Sequence, residues 1–109
     1  MKTFKMVSVI EVEDIEILSD IIVPGIEYFY QASIEVPVTV KVADGDGDVT
    51  SQICVINPED SLTIFDGDSE VTIKISEFMK HSNLDAWKMA DICMNEDVIN
   101  QAQHEWIYG

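Results

Sequence analysis

The stretch IEVPVTVKV, residues 34–42, alternates Ile34, Val36, Val38, Val40 and Val42 with Glu35, Pro37, Thr39 and Lys41. Successive side chains of a strand point to opposite faces. Strict alternation therefore defines a half-buried β-strand and commits the chain to a sheet with one apolar face. Pro37 has no N–H to give to a ladder, which predicts an edge strand or a bulge at that position.

The neighbouring segments extend the sheet. Val49, Ser51, Ile53 and Val55 alternate with Thr50, Gln52, Cys54 and Ile56. The intervening DGDGD, Asp44 to Asp48, reads as the turn of a hairpin, because Asp-Gly is among the commonest ways to build one. After the turn signal NPEDS at residues 57–61, Leu62 to Phe65 and Val71 to Ile75 flank DGDSE, and Asp66-Gly67 suits the positive φ of a tight turn. The middle of the chain reads as a four-strand antiparallel meander with two acidic tips. Phe4 to Val12 predicts a further strand and Ile15 to Val23 a second. Pro24-Gly25 breaks the chain before Tyr28, Phe29 and Tyr30, which read as strand.

The period changes in the last third. Ser82 with Asp85 three residues on resembles a capping box, and Leu84, Trp87, Ala90, Met94 and Val98 recur at helical spacing. Asn95 opens NEDV, whose acidic side chains suit the first turn of another helix. The expected fold is α+β: an antiparallel sheet, a meander of about four to six strands, with one or two C-terminal helices packed on it. It forms a single domain over residues 1–109, with strands mainly in 3–75 and helices mainly in 77–106.

A chain of 109 residues buries roughly 65% of its unfolded surface on folding, enough for a core without metals or disulfides. Apolar residues make up 47% of the chain, which removes the low-hydrophobicity signature of disorder despite the charge. Cys54 and Cys93 have no C-x-x-C spacing and sit among apolar neighbours, so they read as buried reduced thiols. The apolar run from Met6 to Ile10 is interrupted by Glu11 and has no small-residue cleavage pattern after it, and no apolar run approaches the roughly 18 residues of a membrane span. The expected location is the cytoplasm.

The extreme value is the charge. Twenty-one Asp and Glu stand against six basic residues, all lysine, for a net of −15. Phosphate and base-edge recognition rely on arginine forks and basic patches that this chain lacks, which argues against direct binding of nucleic acid or of anionic membrane. Residues 1–33, 34–75 and 76–109 carry net charges of −4, −7 and −4, so the acid belongs to the folded body and not to a tail.

No motif names a reaction. An EF-hand loop starting at Asp44 would need glycine at position six and glutamate at twelve, where Val49 and Val55 stand. His81 and His104 fall in no H-x-x-x-H, and no G-x-S-x-G or phosphate-binding glycine loop is present. The expectation is a protein that is not an enzyme and uses no cofactor or metal.

The acids themselves remain as candidates. Asp44, Asp46 and Asp48 place three like charges within one Debye length of about 8 Å, more than a turn requires. Glu11 and Glu13 fall about 6.6 Å apart on one strand face, followed by Asp14 and Glu16, while Asp66, Asp68 and Glu70 crowd the second tip. These ten form the expected partner-binding surface, and the partner they suit is a basic nucleic-acid-binding protein. In composition and size the chain resembles the DNA-mimic inhibitors that phages and mobile elements use against restriction or CRISPR enzymes. That resemblance implies a body that occupies a basic groove, with a homodimer as one way to extend the array of charge. The alternatives are a non-mimic binding module such as an immunity protein or antitoxin, anchored by Trp87, Trp106, Tyr28, Tyr30 and Tyr108, and a structural or assembly protein. The helical stripe places Trp87 in the core.

Overall fold

A computed structural model of the chain describes residues 2–12, 32–45 and 48–108, the side chains of 44, 45 and 48–50 excepted. The strands are β1 (Lys2–Val12), β2 (Ala32–Gly45), β3 (Asp48–Val55), β4 (Ser61–Asp66) and β5 (Ser69–Lys74). Three helices follow: α1 (Ile75–Ser82), α2 (Ala86–Cys93) and α3 (Glu96–Tyr108). The fold is α+β, an antiparallel five-stranded sheet with helices on one face. The expectations for Ile15–Val23 and for Tyr28–Tyr30 fall outside the described residues.

The two hairpins form where the turn chemistry placed them, but they do not line up as a simple meander. β2 pairs with β1 along Ala32–Val42 on one edge. Its other edge carries β4 at Ser33–Glu35 and β3 at Thr39–Gly45. The sheet is thus β1-β2-β4-β5 at one end and β1-β2-β3 at the other.

This arrangement explains Pro37 and corrects the expectation attached to it. The strand is central, and its register shift lies at Ala43/Asp44, not at the proline. Pro37 pairs with Val7 of β1 and falls between Glu35, where pairing with β4 stops, and Thr39, where pairing with β3 begins. In that gap one edge of β2 has no paired strand among the described residues, so a residue without an N–H is tolerated there.

The inner face is built by alternation. Ala32, Ile34, Val36, Val38, Val40 and Val42 of β2 are all buried, as are Met6 and Ser8 of β1 and Leu62 and Ile64 of β4. Each fully buried Val, Leu or Ile contributes roughly 1.5–3 kcal/mol relative to exposure. The helices close this face with Ile75 and Phe78, Met89 and Cys93, and Val98 and Ala102, each pair three or four residues apart and so on one side of its helix.

Helix boundaries depart from the expected pattern for local reasons. α1 begins directly at the end of β5, and its first N–H groups are taken by the 57–60 turn: Ile75 N–H donates to Asp60 O at 2.8 Å and Ser76 N–H to Pro58 O at 3.1 Å. Asn83, with φ 57°, ends it in the left-handed conformation. Ser82 does not form a capping box, since its hydroxyl donates back to Phe78 O at 2.7 Å. Asp85 is itself the N-cap of α2, accepting from Lys88 N–H at 2.8 Å, and Asn95 caps α3 through Val98 N–H at 3.0 Å.

One buried polar residue ties the layers together. Ser8 is fully buried on β1, donates to Cys93 O at 2.7 Å and accepts from Asn95 Nδ2 at 2.9 Å. The α2–α3 junction is thereby pinned to the sheet. Ser8→Ala is expected to destabilise by about 1–3 kcal/mol by stranding an amide and a carbonyl. Asn95→Ala should cost a similar amount through the lost cap. Both are read from urea midpoints at unchanged m-value. Gly67 sits at φ +59°, and a Cβ there would meet no atom within 4 Å, so Gly67→Ala costs backbone strain alone, about 1 kcal/mol, and Gly67→Asn costs less. A midpoint unmoved by Gly67→Ala would contradict the turn geometry.

Candidate functional site

Pairing places the expected acidic residues at two opposite ends of the sheet. Glu11 of β1 pairs with Ser33 of β2, Ser33 with Phe65 of β4, and Phe65 with Glu70 of β5. Asp66 ends β4, and Asp68 lies in the β4–β5 turn beside it. Glu11, Asp66, Asp68 and Glu70, widely separated in sequence, thus share one end of the sheet. Three strand spacings put Glu11 and Glu70 about 14 Å apart across that row. Asp44 and Asp48 lie at the other end of β2, about 40 Å away at 3.3 Å per residue. There Gly45 pairs with Asp48 in the expected hairpin. Glu13, Asp14, Glu16 and Asp46 fall outside the described residues.

The structure adds Glu35, exposed on β2 opposite Val9 and Thr63, two residues along the strand from the Glu11–Glu70 row and on the same face. Alternation alone put Glu35 on the outer face. Its proximity to Glu70 depends on which strand pairs with which, and that is not legible in the sequence.

The carboxylates of this end differ from others in what they do for the fold. Asp85 caps a helix, Glu77 lies 3.7 Å from His81, and Glu59 lies 3.8 Å from Lys74. The side chains of Glu11, Glu35, Asp66, Asp68 and Glu70 make no hydrogen bond or ion pair with any described residue. They are charges set on the ends of paired strands, and no described residue uses them as acceptors.

The aromatic candidates divide. Trp106 packs against the core, with the Lys2 ammonium 4.6 Å from its ring centroid. Tyr108 is exposed and its ring lies 4.8 Å from that of His104. Trp87 is 84% exposed, which overturns its assignment to the core. Met89 marks the buried side of α2, and a residue two positions earlier is turned about 200° from it. The apparent stripe from Leu84 to Val98 counts helical spacing across the breaks at Asp85 and Asn95, where the period restarts. Trp87 instead borders a groove of about 230 Å³ shared with Ile53, Cys54, Asp91 and Met94. Gln52 lines the same groove, and its side-chain nitrogen is buried without a hydrogen-bond partner.

Both cysteines are free, Cys93 fully buried and Cys54 half-buried. Burial pushes the Cys93 thiol up to about 12, with Cys54 adding to the shift, and burial raises Cys54 as well. Among the described residues no group of three or more His, Cys, Asp or Glu is arranged to hold a metal ion, and no helix is long and apolar enough to cross a membrane. Because the folded Cys93 holds its proton above the ordinary value of 9.0, its contribution to stability is complete below pH 9 and is lost as pH rises towards 12. Iodoacetamide at pH 8 should therefore label Cys54 ahead of Cys93 in the folded protein, and both at similar rates in urea. Equal labelling of the folded chain would contradict the burial of Cys93.

Comparison with protein-family models, with curated proteins and with solved structures finds no match to this chain.

Proposed function

We propose that this chain is a small acidic inhibitor that occupies the positively charged groove of a nucleic-acid-binding protein, such as a restriction, CRISPR or regulatory protein, by presenting carboxylates where the groove receives phosphates. The observation that carries the reading is the acidic end of the sheet. Five exposed or half-exposed carboxylates from β1, β2 and the β4–β5 hairpin stand together there with no role in the fold. Grooves of this kind gain affinity from charge neutralisation and counterion release, and long-range attraction speeds the encounter.

The magnitudes limit the mimicry to a short stretch of duplex. Across about 14 Å a duplex presents roughly eight phosphate charges at one per 1.7 Å. The sheet end supplies Glu11, Glu35, Asp66, Asp68 and Glu70, and Glu13, Asp14 and Glu16 follow in the chain. Along the longest dimension of 51 Å a duplex would carry about 30, twice this chain's net charge. A local imitation fits the numbers and a full-length one does not.

Trp87 favours a second reading, a non-mimic binding module. A tryptophan so exposed beside a groove of mixed polarity, between Asp85 and Asp91, has the form of an interface anchor with an acidic rim.

Capture from a host lysate followed by salt titration separates the two. For the decoy, the partner handles nucleic acid, duplex DNA competes for it, and the variant Glu11→Gln/Asp66→Asn/Asp68→Asn/Glu70→Gln lowers the slope of log K against log salt by up to about four. The variant Asp44→Asn/Asp46→Asn/Asp48→Asn tests the opposite end alone and should change affinity less. An affinity that ignores salt and DNA but collapses on Trp87→Ala would replace the decoy with the anchored module.

A further inference from the structure

Among the described residues, the outer face of the sheet, opposite the helices, is the one broad surface of this acidic protein whose charges balance. Alternation and register place Thr3, Lys5, Val7, Val9 and Glu11 of β1 there, flanked by Glu35, Pro37, Thr39 and Lys41 of β2. Val7 is 56%, Val9 51% and Ile53 48% exposed, and Val55 on β3 is exposed beside them. No described element packs on this surface.

The charges on this face are ordered. Three strands each carry one glutamate and one lysine there: Glu11 and Lys5 on β1, Glu35 and Lys41 on β2, Glu70 and Lys74 on β5. Glu11, Glu35 and Glu70 fall on the rows of Ser33 and Glu35. Lys5 falls on the row of Thr39, Lys41 on its own row further along, and Lys74 beyond Thr72 in the same direction. All three glutamates thus lie at one end and Lys5 and Lys41 at the other, with Val7 and Pro37 between them and Lys74 of β5 level with Pro37. Only Lys74 among the six is ion-paired within the described residues, to Glu59 at 3.8 Å.

We propose that this face binds a second copy of the chain, sheet against sheet, with the strands of the two copies antiparallel and a two-fold axis running across them near the Val7–Pro37 pair. A two-fold interface must be self-complementary. A face with acid at one end and base at the other meets that requirement only when the copy is reversed, so that each lysine end lies over the partner's glutamate end. A reversed second copy brings Lys5 and Lys41 over Glu35 and Glu11, whereas a copy laid in the same direction would meet like charge at both ends. Eleven residues of β1 at 3.3 Å and three to four strands at about 4.8 Å give a face of roughly 600 Å² per copy, hence about 1,200 Å² in total, the lower bound of specific interfaces. A face of that size falls in the class of weak and transient contacts. Both helical layers face outward in the dimer, and because Glu11, Glu35 and Glu70 belong to the dimer face and to the decoy surface alike, a second copy and a basic groove compete for that end.

The test is sedimentation of the full chain over micromolar to hundreds of micromolar concentration near physiological salt. Wild type is expected to dimerise, and Val7→Glu/Val9→Glu to remain monomeric with an unchanged urea midpoint. Charge variants then address direction: Lys5→Glu/Lys41→Glu and Glu11→Lys/Glu35→Lys should each be monomeric alone and form a mixed dimer when combined. The inference is overturned by a wild type that is monomeric throughout, or by charge variants that dimerise alone as well as wild type does. Because the readout needs no host partner, its failure leaves the decoy untouched, and loss of the decoy leaves this result standing.

Discussion

β2 is the strand on which the other layers depend. It exchanges backbone hydrogen bonds with β1 along one edge and with β3 and β4 in succession along the other, so its inner face is enclosed laterally as well as covered by helices. Its six inward side chains are all buried, and together they supply of the order of 10 kcal/mol of burial. A strand in this position tolerates no slip. Moving by one residue would carry Glu35, Thr39 and Lys41 into the core and put Ile34, Val38 and Val40 in water. The helices depend on the same register, because Ser8, which holds the α2–α3 junction, is buried only while Met6 and Ser8 of β1 face inward beside Val38 and Val36.

That dependence explains which parts of the fold are legible in the sequence. The alternation in residues 34–42, the Asp-Gly turns and the asparagine cap at 95 are local, and each carries its own physics: side-chain period, positive φ, a side-chain oxygen for an orphan N–H. Pro37 misleads because its meaning is not local. A proline signals a missing donor, but whether that marks an edge or a gap between two strands depends on where β3 and β4 attach. Trp87 misleads for the converse reason. Helical spacing is meaningful only inside one helix, and the caps at Asp85 and Asn95 reset the phase twice within the apparent stripe.

The candidate site is legible in its residue types and not in its grouping. Nothing in the spacing of Glu11 and Glu70 brings them to one row; the β1-β2-β4-β5 order does. The same order sends Asp44 and Asp48 to the far end, although in sequence they stand between those two. The acidity of the chain, a single quantity in the composition, thus resolves into distinct regions: a sheet end dense in carboxylates, three of which also form the acidic end of the outer sheet face, a distant hairpin, and a helical layer whose acids partly serve as caps and ion pairs.

Separation on this scale decides how the charge acts. With a Debye length of about 8 Å at physiological ionic strength, ends about 40 Å apart do not sense one another, so the repulsion implied by −15 is a sum of local terms. One such group is Glu11, Glu35, Asp66, Asp68 and Glu70 at one end of the sheet. Those side chains fill no cavity, cap no helix and meet no described cation. Removing their charge would relieve repulsion without opening any contact, so the fold alone gives no reason for them. The outer face shows that this sheet accommodates lysines well when they are present, since Lys5, Lys41 and Lys74 sit there without distorting the ladder. Acid concentrated at one end, on a scaffold able to carry either sign, is a surface whose physical meaning lies in what it meets.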